Sequence, residues 1–210
     1  MSKPQEIIIN GWCLLAHPLF LDQFEHLVSE VENIQKKNPT HYREKNATKR
    51  LAAINKLIFE KIPQDPTLPE YRQGTTLGDE YKHWFRAKFF QQYRLFFRYH
   101  LESKIIVYAW VNDENTKRAY NTKKYDAYHV FKKMLTKGHP PNNWNELLKE
   151  AKMVKKRFTQ HDKTNTRFVK SCFDSCREAA RTQPYAVLAK CPISTRTKIE
   201  SPITVSKSPA

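Results

Sequence analysis

Residues 104–111, KIIVYAWV, are apolar on both faces of an extended chain: Ile105, Val107, Ala109 and Val111 alternate with Ile106, Tyr108 and Trp110. Successive side chains of a strand point to opposite sides, so such a run needs cover above and below and belongs at the centre of a sheet. Two aromatic-rich runs precede it, HWFRAKF at 83–89 and YRLFFRYH at 93–100. Separations this short join antiparallel neighbours. A three-stranded meander with a central last strand is expected.

Helical periodicity flanks this block. Phe20, Phe24, Leu27, Val28, Val31 and Ile34 recur at three- and four-residue steps between Pro18 and Lys37, and Asn38-Pro39 ends the pattern. A second helix is expected from His41 to Lys61, stopped by Pro63. Residues 63–82 carry three prolines and two glycines without a period and read as a long loop. Beyond the strands, 124–137 places Ala127, Tyr128, Phe131, Met134 and Leu135 on one face, and Gly138-His139-Pro140-Pro141 closes it. Asn142 or Asn143 caps a last helix carrying Trp144, Leu147, Leu148 and Ala151. The expected order is ααβββα(α), an α+β domain over 1–157 with no strand before the two helices. Residues 158–210 read as a basic extension, with a short helix at 168–181 and a disordered end of about 20 residues.

Several function classes drop out. Only Gly11, Gly74, Gly78 and Gly138 are present, and they form neither a G-x-G-x-x-G fingerprint nor a phosphate loop. No apolar run approaches the roughly 20 residues that span a bilayer, and the start, MSKPQEIIIN, lacks the order of a secretory signal. Four cysteines, Cys13, Cys172, Cys176 and Cys191, do not make a disulfide framework. A cytoplasmic protein is expected.

Charge points to a polyanionic partner. The chain has 37 Lys plus Arg against 21 Asp plus Glu, a formal net charge of +16. Each phosphate neutralised by such a surface releases condensed counterions, which favours nucleic acid or the ribosome. A solvated basic surface or an anionic membrane surface is the alternative. Residues 155–210 are the denser part, with 12 basic against 4 acidic residues.

Strand alternation then gathers the candidate binding residues. Trp84, Arg86 and Lys88 share one face of the first strand, and Arg94, Phe96 and Arg98 share one face of the second. Paired with their apolar rows together, the strands bring four cations and two rings onto one patch. Guanidinium forks grip phosphates and rings stack bases in single-stranded RNA recognition. The alternative is an ordinary solvated face whose Arg and Lys stems cover apolar surface.

NGWCLLAHPLF (10–20), YRLFFRYH (93–100), WVNDENTKRAY (110–120), KKYDAYHVFKKML (123–135) and KGHPPNNW (137–144) resemble the YhaV family of toxins from bacterial type II toxin-antitoxin modules. The similarity runs in order through about residues 8–155. It implies a RelE-like α+β fold and a metal-independent endoribonuclease, an mRNA interferase that inhibits translation, with no cofactor. It also implies a PrlF-like antitoxin with an AbrB-type DNA-binding fold, through which alone operator DNA is bound. Residues 158–210 extend past where such sequences end.

In RelE-type enzymes the ribose 2′-hydroxyl attacks the adjacent phosphate while basic side chains and a tyrosine assist. By this resemblance Arg86, Lys88, Arg94, Arg118 and Tyr128 are the candidate catalytic residues. Arg98, Trp84, Phe96 and Lys117 are the candidate RNA-binding residues. Among the histidines, His17 and His139 read as turn or capping residues, and His83 and His129 as possible proton-transfer assistants. Cys172, Cys176, Cys191 and His161 fit no standard zinc spacing, and no metal site is expected. The alternative function is a non-catalytic RNA- or ribosome-binding translation inhibitor; a DNA-binding regulator is disfavoured because no helix-turn-helix spacing occurs.

Overall fold

A computed structural model describes residues 6–117 and 126–159. The extension from 160 onward, with the helix expected at 168–181, lies outside the described residues, as does Arg118.

Five strands form one sheet: β1 (Ile7–Ile9), β2 (Trp12–Ala16), β3 (Phe85–Phe89), β4 (Tyr93–His100) and β5 (Ile105–Val111), in the order β1-β2-β5-β4-β3. The β3-β4-β5 meander is antiparallel and β5 is central, as the residues foretell. The expectation that two helices precede any strand is corrected. β1 and β2 form an antiparallel hairpin across Asn10 (φ 49°) and Gly11 (φ 78°), two residues suited to the left-handed backbone of a tight turn. β2 then pairs with β5 in parallel, Cys13 to Ile105 through Ala16 to Tyr108.

Helix α1 (Pro18–Lys37) begins where His17 caps it and proline occupies the first turn. Helix α2 (Asn46–Lys56) continues through a widened π-turn, Leu57–Lys61, into the short helix α3 (Ile62–Gln64). Pro63 therefore does not stop the helix at 61, as expected; the wider turn absorbs it. In a π-turn the Ile58 carbonyl would look to the nitrogen of residue 63, but proline has no hydrogen to donate. The Tyr108 hydroxyl donates to that carbonyl instead, at 2.6 Å.

The segment 63–82, expected as a long loop, begins in α3 and is tied down beyond it. Gln73 is buried, accepts from Leu77 N and donates to Tyr81 O, and Tyr71, Leu77 and Tyr81 are buried around it. Helix α4 (Ala127–Thr136) is capped by Asp126, and α5 (Trp144–Met153) by Asn143.

Both faces of the sheet are covered. On one, Phe20, Phe24, Leu51 and Ile54 of α1 and α2 pack on Leu14, Leu95, Phe97, Ile106 and Tyr108. On the other, Phe131, Leu135, Leu147 and Ala151 of α4 and α5 pack on Leu15, Phe96, Val107 and Trp110. Each fully buried large apolar side chain contributes about 1.5–3 kcal/mol. An irregularity between β4 and β5 pairs Phe97 with Tyr108 and Phe96 with Trp110. That extra residue on β5 moves Trp110 to the side of Val107 and Ala109, where simple alternation sets it opposite. Phe158 is fully buried, with Phe59 at 6.1 Å, and carries the first core one residue past the expected boundary at 157.

Candidate active site

Cross-strand register places Arg86 opposite Phe96 and Lys88 opposite Arg94. Directly paired residues point to the same face, so the four expected side chains share the α4 and α5 side of the sheet. That face is not a solvated plate. Arg86 and Arg94 are only 7% and 5% exposed, and Lys88 is exposed at the open β3 edge.

Arg86 is held at both ends of its guanidinium: Nε donates to the Tyr128 hydroxyl at 2.8 Å and Nη1 to the Glu70 carbonyl at 2.6 Å. Tyr128 sits in the first turn of α4, whose cap Asp126 accepts from Tyr128 N at 3.0 Å, and its ring meets Phe96 edge-on at 5.5 Å. An apolar ring and a capped helix start thus fix the hydroxyl against a cation. Arg94 Nη1 donates to the carbonyls of Gln91 and Tyr93, both at 2.7 Å, while its buried Nε has no partner among the described residues.

Trp84 and Phe96, expected as stacking rings for bases, are corrected: both are fully buried. Phe96 stacks on Phe131 at 4.1 Å, and Trp84 Nε1 donates to Asn142 Oδ1 at 3.0 Å. The helices packed over this face bury them. Arg98 is spent in the same way. Its guanidinium lies 5.4 Å from both the Trp84 and Trp144 rings and donates to the Asn142 carbonyl at 2.7 Å. Burial pushes its pKa down to about 10.

Lys117 pairs with the Glu114 carboxylate, which raises the lysine's pKa. Glu114 also accepts from the Tyr93 hydroxyl and from Arg50 Nη1 at 3.2 Å, and the Lys117 bond, followed by that of Tyr93, holds its carboxyl below the usual range. Asn112, buried beside it, accepts from Arg94 N at 2.5 Å and donates to Gln92 O at 3.1 Å and Thr116 O at 2.8 Å. This network anchors the turn that leads to Arg118. The sequence marked the NDENT stretch only as a turn; nothing in it marked Glu114 as a junction, because Tyr93 and Arg50 reach it from distant elements.

His83 Nε2 lies 2.7 Å from Asn142 Oδ1. The indole N–H of Trp84 can only donate, so this Asn142 atom is the oxygen and His83 donates too. Burial lowers the His83 pKa. His129 is exposed. His17 is the cap its position suggests: Nδ1 accepts from Leu19 N at 3.2 Å, leaving Nε2–H to donate to Glu150 Oε2 at 2.7 Å. Cys172, Cys176, Cys191 and His161 lie outside the described residues, among which no three His, Cys, Asp or Glu gather to hold a metal. No helix among the described residues is long and apolar enough to cross a membrane.

A cleft of about 520 Å³ opens along β3, lined by Leu57, Lys61, Glu70, Arg72, Arg86 and Lys88 among others. Chemically, this arrangement offers an exposed ammonium and a buried guanidinium at one cleft wall, with a buried phenol bonded to that guanidinium. Such a set can stabilise a phosphorane's charge and move a proton.

Residues 14–152 match the YhaV toxin family, described as a toxin with endonuclease activity, of a toxin-antitoxin system. The chain is 48% identical over 153 residues to the ribonuclease toxin YhaV of Escherichia coli strain K12, covering 72% of this chain and 97% of that protein. The toxins YhaV of Escherichia coli O157:H7 and of strain O6:H1 CFT073 match at the same identity and coverage. No solved structure matches.

Proposed function

The chain belongs to the YhaV family of toxins with endonuclease activity, and from that premise we propose that it is a metal-independent endoribonuclease, an mRNA interferase that inhibits translation. The observation that carries this is the Arg86 Nε to Tyr128 Oη bond of 2.8 Å beside the exposed Lys88 at a basic cleft.

In the proposed reaction the 2′-oxygen of a ribose attacks the adjacent phosphorus and the bond from phosphorus to the 5′-oxygen breaks. A 2′,3′-cyclic phosphate and a 5′-hydroxyl result. The 2′-hydroxyl proton passes to a base of the site, and a proton reaches the departing 5′-oxygen. Lys88, Arg86 and Arg94, with Arg118, stabilise charge on the phosphorane, and Tyr128 is the proton-transfer partner or orienting group. Burial of Arg86 supports this role, since a cation in a water-poor wall acts more strongly on developing charge than one in solvent.

A RelE-like fold for residues 1–157, with 158–210 as a basic extension, belongs to the same reading. So does a cytoplasmic location and a PrlF-like antitoxin with an AbrB-type fold, which alone contacts operator DNA. The decisive experiment incubates wild type and Arg118→Ala with a defined mRNA in EDTA, free and on translating ribosomes, and maps the cut ends. Cleavage by the wild type alone, leaving cyclic phosphates, is expected. RNA binding without cleavage in either setting would leave an occupancy inhibitor.

A further inference from the structure

The cleft along β3 extends past the residues already assigned. Its far wall is built by Leu57 and Lys61 of the widened turn and by Pro69, Tyr71 and Arg72. Four cations line it, Lys61, Arg72, Arg86 and Lys88, against the single carboxylate Glu70. Arg86 bonds the Glu70 carbonyl and not its carboxylate. Among the described residues none of the four stands in an ion pair, whereas Arg50 and Arg157 are each held by two carboxylates. Lys61, Arg72 and Lys88 are exposed. Uncompensated charge of one sign in a concave site focuses its field on the space it encloses.

We infer that Lys61 and Arg72 form a phosphate-binding subsite for the single-stranded RNA substrate, holding a backbone phosphate next to the one that is cut. This inference rests on the ribonuclease reading above and extends it to two residues outside the catalytic set. Continuity supports it: Arg86 and Lys88 belong both to the catalytic wall and to this cleft, so a strand engaged by them runs on between the two walls. The lining also suits a polynucleotide. Leu57 and Pro69 offer apolar surface beside the cations, as a strand with alternating phosphates and sugars or bases requires. Arg72 is fixed in place by a bridge between its backbone and Phe85 at the start of β3, so the wall is not a loose tail.

The test uses the full chain carrying Lys61→Gln together with Arg72→Gln, and a labelled oligoribonucleotide with 2′-O-methyl sugars, which binds but cannot be cleaved. Affinity is read by fluorescence anisotropy across salt concentrations. For single strands each lost phosphate contact lowers the slope of log affinity against log salt by about 0.7, so losing this one phosphate site is expected to lower the slope by about 0.7. Affinity near physiological salt falls about tenfold, while the cleavage rate at saturating RNA stays within about twofold. A control pair on exposed α1 lysines, Lys36→Gln with Lys37→Gln, leaves the slope unchanged. An unaltered slope, or an equal loss in the control, would overturn the subsite. So would intact RNA affinity with weakened antitoxin binding, which would give the cleft to a protein partner. A wild type that never cleaves, yet shows the slope difference, would remove the ribonuclease reading and leave the subsite standing.

Discussion

The Arg86 guanidinium and the Tyr128 hydroxyl, 42 residues apart, meet at 2.8 Å in a buried contact between β3 and the first turn of α4. The strand supplies the charge, the helix supplies the phenol, and each fixes the other's orientation. Mutual support of this kind means that neither can be altered without moving the other.

Tyr128→Phe therefore removes the acceptor of Arg86 Nε and, in the reaction proposed above, a proton-transfer partner. Single-turnover cleavage is expected to fall by about 100-fold or more, while stability drops by only about 1–3 kcal/mol from the unsatisfied donor. Arg86→Lys in an otherwise wild-type chain is expected to lose activity too, because an ammonium cannot bond Tyr128 and the Glu70 carbonyl with a planar fork. Near-wild-type cleavage by either variant would remove the pair from the chemistry.

Arg98→Ala should behave as a stability mutant. Its guanidinium lies between two tryptophan rings, and losing it is expected to cost about 1–2 kcal/mol in denaturant unfolding. The salt slope of RNA binding should stay unchanged, since this cation is occupied within the fold. A slope reduced by about 0.7 would return Arg98 to the RNA-binding set.

Tyr108→Phe leaves the Ile58 carbonyl, already denied a donor by Pro63, with no partner in the core. The expected loss is about 1–3 kcal/mol in unfolding free energy with an unchanged denaturant slope. Cleavage per folded molecule at saturating RNA should match wild type, because Tyr108 packs on the face of the sheet opposite Arg86 and its hydroxyl touches only the turn that carries Lys61.

Stability should fall as the solution is acidified from neutral. Burial, the largest effect, lowers the His17 pKa despite the opposing influence of Glu150. The unfolded chain therefore takes up a proton near the ordinary value of about 6.5 before the folded one does. This contribution is complete above that value and is lost as pH falls through the lowered folded pKa. His83 shifts in the same direction, again mainly by burial. His17→Asn keeps a capping oxygen and removes the titration, so its stability should decline less between about pH 7 and 5 than that of wild type. Parallel curves would dismiss His17 as the origin.

The meander, the central β5 and the full span of α1 could be read from the residues, because alternation and three-to-four spacing are local properties. The β1–β2 hairpin was equally local, announced by Asn10-Gly11 between two apolar runs, yet β1 is only three isoleucines long and β2, WCLLA, has no polar residue to show an alternation. What sequence could not supply was the second layer of cover. Alternation says that Trp84, Arg86, Phe96 and Arg98 share a side, but whether that side meets water depends on where α4 and α5 come to rest. That is why the rings became core and Arg98 a clamp, while Lys88, at the edge, stayed exposed. Glu114 and Asn112 were silent for a related reason, since α2 and the start of β4, both distant in sequence, supply partners to them.

The parallel seam between β2 and β5 sets a schedule for the protein's manufacture. Cys13 and Ile105 are about ninety residues apart, and chains grow at about 5–20 residues per second. The first hairpin thus waits several seconds for the strand that locks it into the sheet, and α4, with Tyr128, emerges later still. Through that interval the sheet lacks its central strand, and the phenol that bonds Arg86 has not yet been made. A neutralising partner translated at the same time has those seconds in which to be ready.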